Sequence, residues 1–225
     1  MACRASLGPD GPVTGLASPP PRDPRPRLDE LDLVLVTDRL RLRPLREADV
    51  EDLWAYVSDP ALPRLMSWHA HTERSETLAF IRRVTEQTAN QKGVTWALEH
   101  AGRAVGTIGL DDIEFEMRAW RLDRGELGYW IAPSLWGQGL VSEAARAVVS
   151  FGFEVIGLHK VTAGCVAENA ASRRVIEKLG FRSVGRLEDD VWRDGRWWSV
   201  LRYELTTSEW GDVSTTLRVH RPRST

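Results

Sequence analysis

Residues 134–144, SLWGQGLVSEA, bring together the residue types that bind a phosphate group. Gly137 and Gly139 carry no Cβ, so a turn that contains them lets the backbone approach a ligand closely. The Ala-rich amphipathic sequence that follows predicts a helix from about Val141 to Val155. The first turn of such a helix points unpaired N–H groups and a partial positive charge back at the turn. The segment therefore predicts a site for a phosphate-containing ligand.

The glycine turn does not match two common nucleotide-binding sequences. No Gly-Lys-Ser/Thr follows it, as a Walker loop requires, and the third glycine of the dinucleotide fingerprint is missing. A turn with two glycines can also be purely structural. The turn alone does not identify its ligand. The class of ligand has to be inferred from the neighbouring elements.

Alternating strands and helices surround the turn. The apolar stretch Glu126–Ile131 predicts the strand before it, and Lys160–Val166 predicts the strand after the helix. Asn169 is a natural N-cap for a further helix that runs through Leu179, and Gly180 suits the left-handed position after its end. This order predicts parallel pairing of two strands beside the glycine turn.

The rest of the chain adds further elements to the sheet and its helices. We expect a strand at 33–43, helices at 49–58 and 72–90, a hairpin of 94–99 and 104–110, a polar connection at 111–125, and a final hairpin within 183–205 that turns at Asp194–Gly195. Thr72 is the expected N-cap of the second helix. Together the elements predict an α/β domain with a mixed sheet.

Composition predicts one domain and disfavours nucleic acid as a partner. A chain of 225 residues with 42% apolar content can form one full core. We place the domain at residues 31–210, between a disordered Pro/Arg-rich tail at 1–30 and a flexible tail at 211–225. With 30 basic and 32 acidic residues and no basic stripe, the chain is not expected to bind nucleic acid.

The sequence carries no membrane, metal or redox signal. No apolar run approaches the roughly 18 residues that span a membrane, and the N-terminus has no hydrophobic signal core. The two cysteines, Cys3 and Cys165, have neither metal-binding nor redox spacing. We therefore expect a cytoplasmic protein that holds no metal and does not bind a membrane.

Three segments carry a family resemblance: TDRLRLRPL at 37–45, LGYWI with the glycine turn at 127–144, and ENAASRRVIEKLGF at 168–181. In that combination and order the chain resembles the GNAT superfamily of acetyl-CoA-dependent N-acetyltransferases. More narrowly it resembles the RimJ/RimL-type group, which acetylates protein N-termini. The resemblance covers about residues 33–210 and implies the GNAT fold, a single domain in which helices flank a mixed central sheet.

The resemblance implies acetyl-CoA as the co-substrate and assigns residues to it. In the family, backbone amides of the glycine turn hold the pyrophosphate, and backbone of the preceding strand holds the pantetheine arm between two splayed strands. An asparagine contacts the cofactor near its sulfur, and a serine can protonate the leaving thiolate. The matching residues are Trp136, Gly137, Gln138, Gly139, Leu140, Val141 and Ser142 for the pyrophosphate, Trp130 and Ile131 for the arm, and Asn169 and Ser172 near the sulfur.

Acetyl transfer needs a deprotonated amine, a thioester carbonyl in line with it, and a proton for the departing thiolate. We expect direct transfer without a covalent enzyme intermediate, because alignment alone supplies on the order of 7–11 kcal/mol. Glu126, on the strand before the turn, is the first candidate for the general base, and Glu188 is the second. The alternative for Glu126 is a solvated or salt-bridged carboxylate at a strand end, and the alternative for Glu188 is an exposed acidic loop. Ser172 is the candidate acid, although its hydroxyl can instead serve the helix end.

We expect an acceptor with a primary amine, and a protein N-terminal α-amine is the first choice. A small-molecule amine, such as an aminoglycoside or polyamine, is one alternative. A non-catalytic acyl-CoA-binding module with a regulatory output is another. Val141 stands where the family has Gly or Ala, which keeps the module open and raises the question of weakened cofactor binding. Dimers are common in the resembling group, so a homodimer is a further expectation.

Overall fold

One sheet forms the centre of the structure, a computed structural model that describes residues 25–214. Within these residues its eight strands are β1 (Leu35–Val36), β2 (Arg41–Pro44), β3 (Val94–His100), β4 (Arg103–Met117), β5 (Trp120–Ile131), β6 (Lys160–Val166), β7 (Arg182–Arg193) and β8 (Arg196–Thr206). Their spatial order is β1-β2-β3-β4-β5-β6-β8-β7. Neighbours pair antiparallel except β5 and β6, which pair parallel. The predicted mixed sheet is confirmed.

Helices cover both faces of this sheet. They are α1 (Val50–Val57), α2 (Arg74–Ala89), α3 (Leu140–Phe151), α4 (Ala170–Lys178) and α5 (Thr207–Ser214). Successive residues of a strand face opposite sides, so a strand covered on both sides is apolar throughout. Residues of α1 and α2 pack with Ala97 and Trp130 on one side, called here the α1–α2 face. Residues of α3 and α4 pack with Leu127 and Ala163 on the other, the α3–α4 face.

The elements around the glycine turn and the last hairpin form as predicted. Asn169 caps α4, because its Oδ1 accepts a hydrogen bond from the Ser172 N–H at 3.0 Å. Gly180 follows α4 with φ +89°, as a left-handed C-terminal position requires. Asp194 and Gly195 join β7 to β8 with φ of +51° and +78°, the conformation that suits a tight hairpin.

The single strand expected at 33–43 is wrong. The chain reverses at residues 37–40, and β1 pairs antiparallel with β2. The Thr37 N–H donates to the Leu40 carbonyl at 2.9 Å, and the Thr37 hydroxyl also bonds the Leu40 backbone. Threonine side chains that bond nearby backbone favour turns over extended strands. The period-two signal of Leu40 and Leu42 spans this turn.

The polar connection expected at 111–125 is also wrong, because β4 and β5 continue through it as a long hairpin. The two strands reverse between Met117 and Trp120, with Arg118 at φ +58°. Across them, Arg124 Nε donates to Glu114 Oε2 at 2.9 Å. Pairs of opposite charge stabilise neighbouring strands without an apolar face. The hydrophobic pattern therefore carries no strand signal here.

The start of α2 differs from the prediction, whereas that of α3 agrees with it within one residue. α2 begins at Arg74, and Thr72 is not its N-cap: the Thr72 N–H and hydroxyl both donate to Glu76. α3 begins at Leu140 and is followed by a wide helical turn, Gly152–Ile156. Gly157 ends it with φ +81°, as the sequence predicts.

The tail boundaries also need correction. Residues 25–30 contact the domain: Leu28 is fully buried, and its N–H donates to Gln91 Oε1 at 2.7 Å. At the other end α5 continues to Ser214, past the expected boundary at residue 210. Residues 1–24 and 215–225, with the remaining tail predictions and Cys3, lie outside the described residues.

A buried ion pair fixes the first helix to the sheet. Arg43 on β2 and Asp49 before α1 each have a side chain that is 7% exposed. The guanidinium donates to both Asp49 oxygens, at 2.8 and 2.7 Å, and to Glu99 on β3 at 2.6 Å. Bidentate Arg–carboxylate pairs are the strong ones because both hydrogen bonds form in a fixed plane.

We predict that Asp49→Ala lowers the free energy of unfolding by about 3–5 kcal/mol, because it leaves the buried Arg43 charge without its main partner. Urea unfolding followed by circular dichroism measures the change. Glu47→Gln is the control, since Glu47 pairs with Arg82 in solvent and should leave the midpoint nearly unchanged. Equal effects of the two substitutions would contradict the anchoring role of Asp49.

Candidate active site

A gap between β5 and β6 lies at the centre of the candidate site. The two strands pair over four rungs, of which Leu127↔Ala163 is the last in the described register. β5 nevertheless continues along β4 to Ile131, and β6 continues along β8 to Val166. Because each strand follows its own antiparallel neighbour, the two separate beyond the last rung. This separation, called here the splay, has the form that the family resemblance implies.

The glycine turn lies beyond the splay and has the backbone that a phosphate site needs. Gly137 and Gly139 adopt φ of +75° and +78°, and α3 begins at Leu140. Apart from Gly137 itself and its two chain neighbours, no described atom lies within 4 Å of the position that a Cβ on Gly137 would take. Left-handed glycines with an open surface, directly before a helix N-terminus, fit a pyrophosphate group.

The side chain of Val141 packs against the core beside this turn. Leu140 and Ser142 are buried and Val141 is half-buried, so these three residues can offer a ligand mainly their backbone. Val141 packs against the apolar cluster of the α3–α4 face. Its additional methyl groups are therefore accommodated by the core.

Arg39, which the sequence analysis missed, ties the turn to the β1–β2 hairpin. Its Nε donates to Glu143 Oε2 at 2.7 Å, and its Nη1 donates to the Gln138 carbonyl at 2.9 Å. Glu143 Oε1 also accepts from the Thr37 hydroxyl at 2.6 Å. Burial alone would raise the pKa of Glu143, but these hydrogen bonds outweigh it and hold the pKa below its usual value. Arg39 thus fixes the first turn of α3 and places a positive charge beside the turn.

Of the two strand residues expected to hold the pantetheine arm, only Ile131 presents its peptide to the splay. The Ala132 N–H donates to the Val105 carbonyl of β4 at 2.8 Å. Hydrogen-bonded pairs alternate along an antiparallel ladder. The N–H and C=O of Trp130 therefore also face β4, whereas the N–H and C=O groups of Tyr129 and of Ile131 face away from β4, toward the splay. The Ile131 carbonyl accepts from Trp136 Nε1 at 2.9 Å. The Trp130 side chain is buried, with its ring 6.0 Å from that of Trp68.

Ser172 lies on the α3–α4 face with a partner that the sequence analysis missed. Its Oγ is 3.0 Å from the Tyr129 hydroxyl, which also donates to the Ser172 carbonyl at 3.2 Å. Burial raises the pKa of Tyr129 well above its usual value, so the phenol stays protonated and can donate. Tyr129 follows directly after Gly128 in LGYWI, and its alternation with Leu127 was the available signal. The two hydroxyls form one donor cluster beside the splay.

Both polar atoms of the Asn169 side-chain amide form hydrogen bonds within the protein. Its Oδ1 caps α4, and its Nδ2 donates to the Leu65 carbonyl at 3.4 Å, in the segment between α1 and α2. Arg193 of the β7–β8 hairpin donates to the Met66 carbonyl and to that of Pro63. Asn169 and Arg193 thus hold the α1–α2 connection in place from two directions.

A cavity of about 500 Å³ opens beside Glu126. Glu126 lies on the same side of β5 as Trp130, so the cavity belongs to the α1–α2 face. Glu126 Oε1 accepts from Arg202 Nη1 at 3.2 Å. The charged side chains of the wall are three acids and three bases: Asp112, Glu114, Glu126, Lys92, Arg124 and Arg202.

Asp111 is a second carboxyl group on this face, in the segment that the sequence analysis took for a connection. It is the direct cross-strand partner of Glu126, and its Oδ1 accepts from Thr95 Oγ1 at 3.4 Å. Burial raises the pKa of Asp111 to about 6, and the neighbouring charges of Asp112 and Glu126 add to the rise. Asp111 therefore remains a base at neutral pH and a stronger one than an ordinary carboxylate.

Glu188, the second predicted base, has the opposite environment. It lies on β7, not in a loop, and it is exposed to solvent. Ser199 Oγ donates to its Oε2 at 2.7 Å and Arg186 Nε to its Oε1 at 2.7 Å. These hydrogen bonds lower the pKa of Glu188 and make it a weaker base.

Comparison with known proteins agrees with this geometry. The acetyltransferase (GNAT) domain family matches residues 39–182. "Uncharacterized N-acetyltransferase YoaA" of Bacillus subtilis is 30% identical over 164 residues, 72% of this chain and 90% of that protein. "Putative ribosomal N-acetyltransferase YdaF" of B. subtilis is 27% identical over 180 residues, 78% of this chain and 95% of that protein. A solved RimL ribosomal L7/L12 α-N-protein acetyltransferase in complex with coenzyme A superimposes with a TM-score of 0.71 at 19% identity, covering 77% and 97% of the two chains.

The chain belongs to the GNAT acetyltransferase family. It is an acetyl-CoA-dependent N-acetyltransferase with the single-domain GNAT fold, as the sequence analysis expected. This assignment removes the non-catalytic module. Among the described residues, no group of three or more His, Cys, Asp or Glu side chains could hold a metal ion. No helix within residues 25–214 is long and apolar enough to cross a membrane.

Gly139→Ala should weaken acetyl-CoA binding at least about tenfold, because its methyl group would occupy space through which the phosphates approach the backbone of the turn. Isothermal titration calorimetry measures the dissociation constant. Gly195→Ala is the matched control: both glycines have φ +78°, but Gly195 lies in the β7–β8 turn. Both variants lose a similar amount of stability from left-handed strain, and only the first should lose affinity. Unchanged affinity in Gly139→Ala would place the phosphates elsewhere.

Proposed function

We propose that this enzyme transfers acetyl from acetyl-CoA to the free α-amine at the N-terminus of a protein or peptide. Support comes from the cavity on the α1–α2 face and from the ribosomal assignment in the name of YdaF. The shared fold of the RimL structure is compatible with this acceptor.

The observation that carries the proposal is the balanced charge of the cavity wall. Its three acids and three bases include two ion pairs, Glu126 with Arg202 and Glu114 with Arg124. A polyamine or aminoglycoside carries several positive charges and favours a site with an excess of carboxylates. A peptide carries one α-ammonium group followed by an uncharged backbone and mixed side chains, which such a wall can accommodate. A volume of about 500 Å³ admits the first few residues.

Each face of the splay has its own task in the proposed reaction. The glycine turn and the N-terminus of α3 hold the pyrophosphate, and the peptides of Tyr129 and Ile131 hold the pantetheine arm. The amine approaches from the α1–α2 face, loses a proton and forms the new C–N bond with the acetyl carbon. As the C–S bond breaks, the Ser172 hydroxyl gives its proton to the thiolate, and Tyr129 donates to the resulting Ser172 oxygen.

Ser172→Ala should lower kcat by about 100-fold or more and leave the dissociation constant of acetyl-CoA nearly unchanged, because a general acid acts only in the transition state. Steady-state kinetics and calorimetry separate the two effects. Ser75→Ala, the same change at an exposed position on α2, is the control. A kcat that stays at the wild-type value would remove Ser172 as the acid.

The acceptor class is tested with a panel of amines and detection of the released thiol. The panel contains a lysine-bearing peptide with a free N-terminus, the same peptide with its α-amine blocked, spermidine and an aminoglycoside. We expect turnover of the free peptide only. Mass spectrometry should find the transferred acetyl group on the α-nitrogen of that peptide. A higher kcat/KM for spermidine or the aminoglycoside than for the peptide would show that the acceptor is a small molecule. Acetylation of the blocked peptide would show that the lysine side chain is the acceptor.

A further inference from the structure

Two glycines form the mouth of the splay on the α1–α2 face. Gly128 on β5 and Gly164 on β6 directly follow the last rung, Leu127↔Ala163. They lie on the side of the strands that carries Glu126 and Trp130. Neither has a side chain, so the groups that border the gap on this face, where the acetyl group has to meet the amine, come from other residues.

A carboxylate lies on each side of that mouth. A Cβ on Gly128 would be 3.5 Å from Asp111 Oδ2, and one on its cross-strand partner Gly109 would be 3.3 Å from the same oxygen. A Cβ on Gly164 would be 3.5 Å from Glu126 Oε1 and 3.0 Å from Arg202 Nη1. Asp111 therefore lies over the β5 side of the mouth, and the Glu126–Arg202 pair lies over the β6 side.

The backbone after Asp111 is shaped to direct it there. The β4–β5 register shifts between Asp111 and Glu114, and Asp112 adopts φ +49°. This is a β-bulge, a feature that re-aims side chains and is common beside active sites. Asp112 is exposed while Asp111 is half-buried. The bulge thus ends the regular ladder just beyond the carboxyl group that faces the mouth.

We propose that Asp111 is the general base of the acetyl transfer and that Glu126, fixed by Arg202, is a positioning residue that holds the acceptor ammonium at the mouth. The ammonium first lies between the two carboxylates. Asp111 Oδ2 takes one N–H proton, and the freed electron pair on nitrogen forms the C–N bond. The proton then leaves Asp111 for solvent. This assignment rests on acetyl transfer to an amine, not on the identity of the acceptor.

The surroundings of Asp111 suit a base better than those of Glu126 do. Asp111 faces the negative charges of Asp112 and Glu126, the Thr95 hydroxyl, and the positive charge of Arg83 from α2. Glu126 bonds a guanidinium directly, and its side chain is 37% exposed. A carboxylate that is largely removed from water and lies beside like charges holds a proton more strongly than an ordinary one. Asp111 is therefore the base, and Glu126 is the residue that holds the ammonium group.

The test compares kcat/KM as a function of pH for wild type, Asp111→Asn and Glu126→Gln, with the panel amine that wild type acetylates best. Wild-type kcat/KM should fall as the pH drops through about 6, because protonated Asp111 cannot accept a proton. Asp111→Asn should lose this step and lower kcat by about 100-fold or more. Glu126→Gln should keep the step and mainly raise KM. The titration of the amine itself, near pH 8 for an α-amine, should remain in all three.

Two further measurements separate catalysis from folding. Asn is isosteric with Asp, and Glu116→Gln, an exposed acid on the same strand, is the control that should change nothing. A ¹³C spectrum of aspartate-labelled protein should contain a carboxyl that titrates near pH 6 and is missing from Asp111→Asn. A folded Asp111→Asn enzyme with wild-type kcat would overturn the proposal. So would an acid limb that disappears in Glu126→Gln and persists in Asp111→Asn.

Discussion

The early end of parallel pairing between β5 and β6 is the constraint on which the rest of the structure depends. β5 is bound to β4 as far as Ile131, and β6 is bound to β8 as far as Val166, but the two bond each other only to Leu127↔Ala163. Beyond that rung each strand twists with its own antiparallel partner, and a sheet twists steadily from strand to strand. The gap leaves the inward N–H and C=O groups of Tyr129 and the N–H of Ile131 without a neighbouring strand to pair with. Unpaired N–H and C=O groups inside a sheet normally cost free energy unless a hydrogen-bonding partner covers them. The extended pantetheine arm contains amide groups and can be that partner.

In the proposed reaction the splay also separates proton removal from the amine and protonation of the thiolate. On the α3–α4 face the Ser172 and Tyr129 hydroxyls are 3.0 Å apart and suit a leaving thiolate. On the α1–α2 face Asp111, Glu126 and Arg202 lie around Gly128 and Gly164, where we propose that the amine arrives. Because the amine loses its proton on one face and the thiolate gains a proton on the other, the two clusters do not need to contact each other. The Arg39–Glu143 pair and the contacts of Asn169 and Arg193 with the α1–α2 connection hold the ends of this arrangement, which favours alignment.

Local signals in the sequence predicted the parts of the site that depend on neighbouring residues. The glycine turn, the cap at Asn169 and the turn at Asp194–Gly195 each follow from residue types within one turn of chain. Arg39 was missed because its partner Glu143 is 104 positions away, and no local pattern relates the two. Asp111 was missed because the bulge at Asp112 breaks the alternation that marks a strand. The peptide direction of Trp130 depends on which β4–β5 rungs are hydrogen-bonded, which the side-chain pattern does not encode.

The most direct test of the account is a crystal structure of the protein with coenzyme A and the acceptor that it acetylates best. We predict that the pantetheine arm enters between β5 and β6 and bonds the peptides of Tyr129 and Ile131. The sulfur should lie within hydrogen-bonding distance of Ser172, and the acceptor nitrogen should lie between Asp111 and Glu126 on the opposite face. An arm that runs outside the sheet, with β5 and β6 paired beyond Leu127↔Ala163, would contradict the account.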